Sequence, residues 1–126
     1  MTQIIFAGSG LASLPAFKSA IEENGGRVTC LGSSRQVIEA ISKEGFDLLI
    51  ADEFLEDMSG IDLIEKVIAR NPMLNSAVVS SLPPDEYHEA SEGLGILMQL
   101  PNGPGQEEAD TLMKHLKKIQ SFKVGP

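Results

Sequence analysis

The sequence predicts an α/β fold: one sheet of five parallel strands with helices on both faces. Three observations carry this. Five short apolar runs recur along the chain, at Ile4–Ala7, Val28–Leu31, Leu48–Ala51, Ala77–Val79 and Ile96–Met98. None alternates cleanly between apolar and polar residues, which is the pattern of strands covered on both faces. Segments with apolar residues three and four apart, the helical period, lie between and after them. The two kinds of segment alternate as βαβαβαβαβα with no long linker, repeat or low-complexity stretch. Right-handed crossovers then place helices on both sides of the sheet.

Each helix has its own signals. Leu11, Leu14, Phe17 and Ile21 define the first, with Pro15 near its start and Gly25-Gly26 as its stop. Ser33 and Gln36 stand at capping-box spacing before Val37, Ile38 and Ile41, and Gly45 closes that helix. Ser59 caps the run Ile61, Ile64, Val67 and Ile68, which Pro72 ends. Pro83-Pro84-Asp85 opens a shorter, weaker helix with Tyr87 and Ala90, stopped by Gly93. The last helix sets Leu112, Met113, Leu116 and Ile119 on one face. Its acids (Glu107, Glu108, Asp110) come first and its bases (Lys114, Lys117, Lys118) last, as the helix dipole favours.

The chain of 126 residues is read as one domain, 1–126, long enough to bury a core. Eighteen acidic against ten basic residues give a net charge of −8. That charge repels phosphate backbones and anionic lipid, which argues against nucleic-acid and membrane partners. The amino-terminal apolar run is short and has no basic segment before it, so a signal peptide or membrane span is not expected. The single cysteine, Cys30, cannot form an internal disulfide. This fits a reducing cytoplasm, with Cys30 expected as a small core residue.

Five such units give the flavodoxin-like (βα)5 three-layer sandwich with strand order 2-1-3-4-5. Functional groups are then expected at the carboxyl ends of the first and third strands, where the winding reverses. Gly8, Ser9 and Asp52 fall there, with Ser80 and Leu100 at the ends of the neighbouring strands.

The most specific stretch is Phe46-Asp47-Leu48-Leu49-Ile50-Ala51-Asp52, followed by Glu53-Phe54-Leu55-Glu56-Asp57-Met58-Ser59-Gly60. It resembles the receiver domain of bacterial response regulators: an apolar strand ends in an acceptor aspartate, and the next loop closes on Ser-Gly. Glu56 stands where the family has a proline. Element order and length resemble the family along the whole chain.

The resemblance implies Asp52 as phospho-acceptor, Ser80 as the switch hydroxyl, and a cis bond at Pro101. It also exposes what is missing. The family's acidic pair falls on Gly8 and Ser9, and its lysine on Leu100, or on Gln99 if the register slips by one. Its switch aromatic is replaced by Ile96 or Leu97. Phosphoryl transfer relies on Mg²⁺ and positive groups to stabilise developing charge. Asp52 alone could hold Mg²⁺ weakly, with water filling the shell. The family uses this chemistry in two-component phosphorelays, so a depleted site implies a pseudo-receiver with weak or absent phosphorylation. Its expected partner is a protein, a histidine kinase or a downstream regulator. The expected contact is the face of fourth helix, fifth strand and fifth helix, roughly Pro83–Glu92, Ile96–Leu100 and Glu107–Gln120. Only Ser121–Pro126 follow that last helix, so no output domain is expected on this chain.

Two alternatives stay open. One is a working phospho-acceptor using Asp52. The other is a small nucleotide-binding domain in which Gly8-Ser9-Gly10-Leu11-Ala12-Ser13 cradles a phosphate at a helix start. That stretch has serine at the third glycine position of the dinucleotide fingerprint. The acid expected near the end of the second strand is also absent. No catalytic set is indicated, so the chain is not read as an enzyme. His88 and His115 are expected on the surface, and Glu53, Glu56 and Asp57 as a solvated loop beside Asp52.

Overall fold

The computed structural model describes residues 1–124, with side chains described through Ser121. Strands β1 (Thr2–Ala7), β2 (Gly26–Leu31), β3 (Leu48–Ala51), β4 (Asn75–Val79) and β5 (Met98–Leu100) alternate with helices. The helices are α1 (Pro15–Glu23), α2 (Ser34–Lys43), α3 (Gly60–Arg70), α4 (Pro84–Ser91) and α5 (Gln106–Val124). The sheet has the order β2-β1-β3-β4-β5, and every pairing is parallel, as the alternation predicts.

The apolar strands serve two cores. Alternate residues point to opposite faces, so Ile4, Phe6, Leu48 and Ile50 pack with Phe17 and Ile21 of α1 and Leu112 and Leu116 of α5. Ile5, Ala7, Leu49 and Ala51 pack with Val37 of α2 and Leu63, Ile64 and Val67 of α3. Helix α4 has no buried residue and leans on the second core through half-buried Tyr87. Desolvation there pushes the Tyr87 phenol above its ordinary pKa.

The helix starts follow their sequence signals. Ser33 and Gln36 form a capping box at α2, and the Ser59 hydroxyl accepts from Asp62 N at 3.2 Å at α3. The first helix departs from expectation. Gly10–Ser13 forms a 3₁₀ turn, the chain breaks at Leu14 (φ −123°, ψ 57°), and α1 starts at Pro15. A residue before proline is pushed out of the α region, so Leu11 and Leu14 cannot share one continuous helix with Phe17.

Three further expectations are corrected. Strand β5 lies two residues later than the run Ile96–Met98, because the β4 ladder pairs Ala77 with Met98 and Val79 with Leu100. Ile96 and Leu97 pack instead against the two cores from the approach to the strand. Cys30 is exposed rather than buried, since β2 is an edge strand whose outer residues lack cover. The Leu100–Pro101 bond is trans, the isomer favoured by about 0.5–1 kcal/mol at X–Pro. The chain turns after β5 at Gly103 instead, at φ +68°.

Candidate functional site

Asp52 emerges at the carboxyl end of β3, the central strand, immediately beside β1. Its backbone N donates to Ala7 O at 2.8 Å, which continues the ladder one residue past the strand. The side chain is half-buried. Its Oδ1 accepts from Glu53 N at 2.9 Å.

The carboxylate lies over the turn that follows β1. A Cβ added to Gly8 would stand 2.5 Å from Asp52 Cβ, and one added to Gly10 would stand 2.6 Å from Asp52 Oδ2. Gly8 also has φ +134°, a conformation that residues with side chains rarely adopt. Glycine at position 8 is therefore more than the loss of a carboxylate. The backbone here approaches Asp52 too closely to carry a side chain. Ser9 is exposed and brings only a neutral hydroxyl. Beside Asp52 is a small cavity of about 160 Å³, lined by Gly10, Ser13, Leu14, Val79 and the loop Asn102–Pro104. Asp52 is its one charged group.

Neither residue at the lysine position carries a charge. Leu100 is fully buried in the core beneath α1 and α5. Gln99, one residue earlier, donates from Nε2 to Ser80 O and Leu82 O, both at 3.2 Å. Ser80 is buried at the end of β4. Its N donates to Leu100 O at 3.0 Å, and its hydroxyl accepts from Leu82 N at 3.2 Å.

The acidic loop residues do not converge. Glu53 reaches the turn after β4, where its Oε2 accepts from Ser81 N at 2.8 Å and Ser81 Oγ at 2.7 Å. Asp57 turns the opposite way and accepts from Ser34 at the start of α2. The Glu56 carboxylate lies beside Gly32. Among the described residues, no group of three or more His, Cys, Asp or Glu side chains stands close enough to hold a metal ion. His88 and His115 are exposed on different helices.

Sequence reasoning thus placed Asp52, Gly8, Ser9, Ser80 and Leu100 at the strand ends, and they are there. It missed Glu53 and Gln99 as loop ties. Their partners are 28 and 19 residues away, so no local signal marked them. The glycine-turn alternative lacks its geometry. The turn after β1 leads into a 3₁₀ turn and then Pro15, not into an α-helix with free amides. Gly8 N is already committed to Leu31 O at 2.7 Å, and the Asp52 carboxylate faces Gly10.

No protein-family model matches the chain, and no curated protein matches it. Solved structures do. A receiver domain protein of Methanospirillum hungatei JF-1 superposes with a TM-score of 0.81 at 20% identity, over 97% of this chain and 98% of that one. One from Clostridium thermocellum gives 0.82 at 13% identity, over 98% and 100%. A chemotaxis response regulator of Vibrio cholerae gives 0.75 at 16%, over 94% and 98%. The chain has the response-regulator receiver fold. No described helix is long and apolar enough to cross a membrane.

Proposed function

We propose that this chain is a receiver-type signalling module in a two-component context that acts through a fixed protein-contact surface, with weak or absent phosphorylation of Asp52. The observation that carries the reading is the approach of Asp52 to Gly8, which leaves no room for a side chain at the first position of the acidic pair, while Ser9 at the second brings no charge. Mg²⁺ needs hard oxygen ligands in near-ideal octahedral geometry. One carboxylate, already bonded to Glu53 N, beside a neutral serine does not fit that requirement. A phosphoryl group would also meet no compensating cation, because buried Leu100 holds the lysine position.

A second set of contacts supports a surface that does not switch. Glu53 ties the β3–α3 loop to Ser81, and Gln99 ties β5 to the carbonyls of Ser80 and Leu82. The Ser80 hydroxyl is already engaged with Leu82 N. The turn after β4 is thus held from both sides by side chains of the protein itself. The contact surface in this reading is the α4–β5–α5 face, roughly Pro83–Glu92, Ile96–Leu100 and Glu107–Gln120. It would meet a histidine kinase or a downstream regulator in the cytoplasm. The chain itself catalyses no reaction in this scheme.

Titration of the chain with Mg²⁺ and beryllofluoride, followed by amide NMR, tests the proposal. The expected result is no saturable shift at Asp52, Ser80 or α4 at sub-millimolar metal. Saturable shifts there, or a mass gain of one phosphoryl group on incubation with acetyl phosphate and Mg²⁺, would overturn it in favour of a working phospho-acceptor.

A further inference from the structure

A second, apolar opening at the strand ends lies between the start of α3 and the turn into α4, with Glu53 and Ser80 also in its lining. It is a groove of about 340 Å³ whose walls include Phe54, Ile61, Leu82 and Ala90, floored by Val78 and Val79 of β4. Phe54 stands at its edge with 72% of its surface exposed, one of three exposed large apolar side chains among the described residues. A ring left in water beside an apolar groove is the composition of an interaction anchor, unlike scattered surface apolar residues.

Among the described residues, the ionisable groups lining the groove have one sign: Glu53, Asp62 and Glu65, with no basic residue. Lys66 stands one residue further along α3, beside a separate opening that Asp62 and Glu65 also line. Glu53 is occupied by Ser81. Asp62 and Glu65 have no cationic partner, since the one ion pair among the described residues is Lys43–Glu39 on α2. Helix α4 beyond the groove adds Asp85, Glu86 and Glu89, within a chain of net charge −8. The volume is at the lower end of the roughly 300–1,000 Å³ range of binding pockets. It suits one or two apolar side chains at the centre of a wider contact.

We infer that this groove docks a cationic amphipathic segment of a partner protein. An apolar side chain of that segment would fill the space between Phe54, Ile61 and Leu82, and flanking Lys or Arg side chains would meet Asp62 and Glu65. The surface lies on the α3 side of α4 and shares only Ala90 with the α4–β5–α5 face, so either can fail without the other. Leu82 lies in the turn that Glu53 and Gln99 hold, which fixes this wall of the groove.

The test uses a short synthetic peptide with leucines at helical spacing and lysines elsewhere, a scrambled control, and amide NMR on the chain. Expected are saturable shifts centred on Phe54, Ile61, Leu82 and Ala90, absent with the scramble and weakened by added salt. Phe54→Ala and Glu65→Lys should each weaken binding about tenfold, the scale of an interface anchor. Both residues are exposed, and neither change threatens folding. Glu23→Lys at the end of α1 changes net charge as much as Glu65→Lys and should weaken binding less than about twofold. Equal weakening by Glu23→Lys and Glu65→Lys would reduce the effect to bulk charge and overturn the inference. So would shifts confined to another face, or self-association of the chain that fills the groove and excludes the peptide.

Discussion

Asp57 closes onto the first turn of α2 through Ser34, 23 residues away, accepting from its backbone N at 3.0 Å and from its hydroxyl at 2.5 Å. An anion at a helix start satisfies otherwise unpaired amides and complements the dipole. The β3–α3 loop is thereby fastened to the neighbouring helix on the side opposite to the Glu53 tie.

This contact gives a pH dependence of definite sign. The hydrogen bonds from the Ser34 side chain and backbone favour the charged carboxylate and hold Asp57 below the ordinary aspartate pKa of 3.8. A group with a depressed folded pKa stabilises the fold above its unfolded pKa, and that contribution fades as pH falls through the folded value. Asp57→Asn should therefore be less stable than the parent at neutral pH, and the two should converge in acid. Urea denaturation across pH 2–7 measures the difference; a constant gap through about pH 4 and below would contradict the assignment.

The glycines around Asp52 make a sharper prediction, because they fail for different reasons. Gly8→Ala meets Asp52 Cβ at 2.5 Å and must also adopt φ +134°. Strain and overpacking together should cost about 2–4 kcal/mol. Asp52→Ala keeps the Cβ, so it should not relieve that cost. Gly10→Ala meets only Oδ2, at 2.6 Å, the end of a side chain that can rotate. Its cost should stay below about 1 kcal/mol and vanish in the Asp52→Ala background. A double-mutant cycle in urea reads both, and rescue of Gly8→Ala by Asp52→Ala would refute the contact geometry.

These relationships show what local sequence carries and what it does not. The runs around Ile4, Leu48 and Ala77 were legible because strands buried on both faces must be apolar at every position. The same reasoning misplaced β5, since Ile96 and Leu97 are as apolar as Met98 but only the latter pairs with Ala77. Cys30 was misjudged because edge position in a sheet is a property of topology. Asp52 was legible from its spacing to Ser59-Gly60. The closeness of Gly8 to Asp52 and the turn of Glu53 toward Ser81 were not, because both depend on how adjacent loops settle after the strands pair.

The Glu53 tie should be measurable. Glu53→Ala removes the acceptor for both Ser81 hydrogen bonds and should cost about 0.5–1.5 kcal/mol, less with Glu53→Gln, which keeps one oxygen. The more direct readout is hydrogen exchange, where Ser81 and Leu82 amides should exchange faster in Glu53→Ala while β1 and β3 are unchanged. Unchanged exchange at Ser81 would show that the turn after β4 is held by Gln99 alone.

Gly60 settles whether the loop after Asp52 is fixed by packing or by backbone conformation. As the first residue of α3, it donates its N–H to Glu53 O at 2.9 Å, which folds the helix start back beneath the loop. Alanine in a helix is worth up to about 1 kcal/mol over glycine, so propensity alone predicts that Gly60→Ala stabilises. The surroundings predict the reverse. A Cβ there would stand 2.1 Å from the backbone O of Asp52, and 3.1 Å from both Ala51 Cβ and Val78 Cγ2. A strand-end carbonyl cannot rotate away as a side chain can, so β3 and α3 would have to separate. Overpacking of this kind costs about 3 kcal/mol or more, which exceeds the propensity gain. Gly45 is the matched control: it has open space around its Cβ position and no left-handed backbone. Gly45→Ala should be neutral or stabilising by up to about 1 kcal/mol, through a less flexible unfolded chain. Chemical denaturation of the two variants should give shifts of opposite sign or widely different size. If Gly60→Ala were as stable as the parent, α3 would not be seated against the carbonyl of Asp52, and the loop carrying Glu53 and Asp57 would not be held as described.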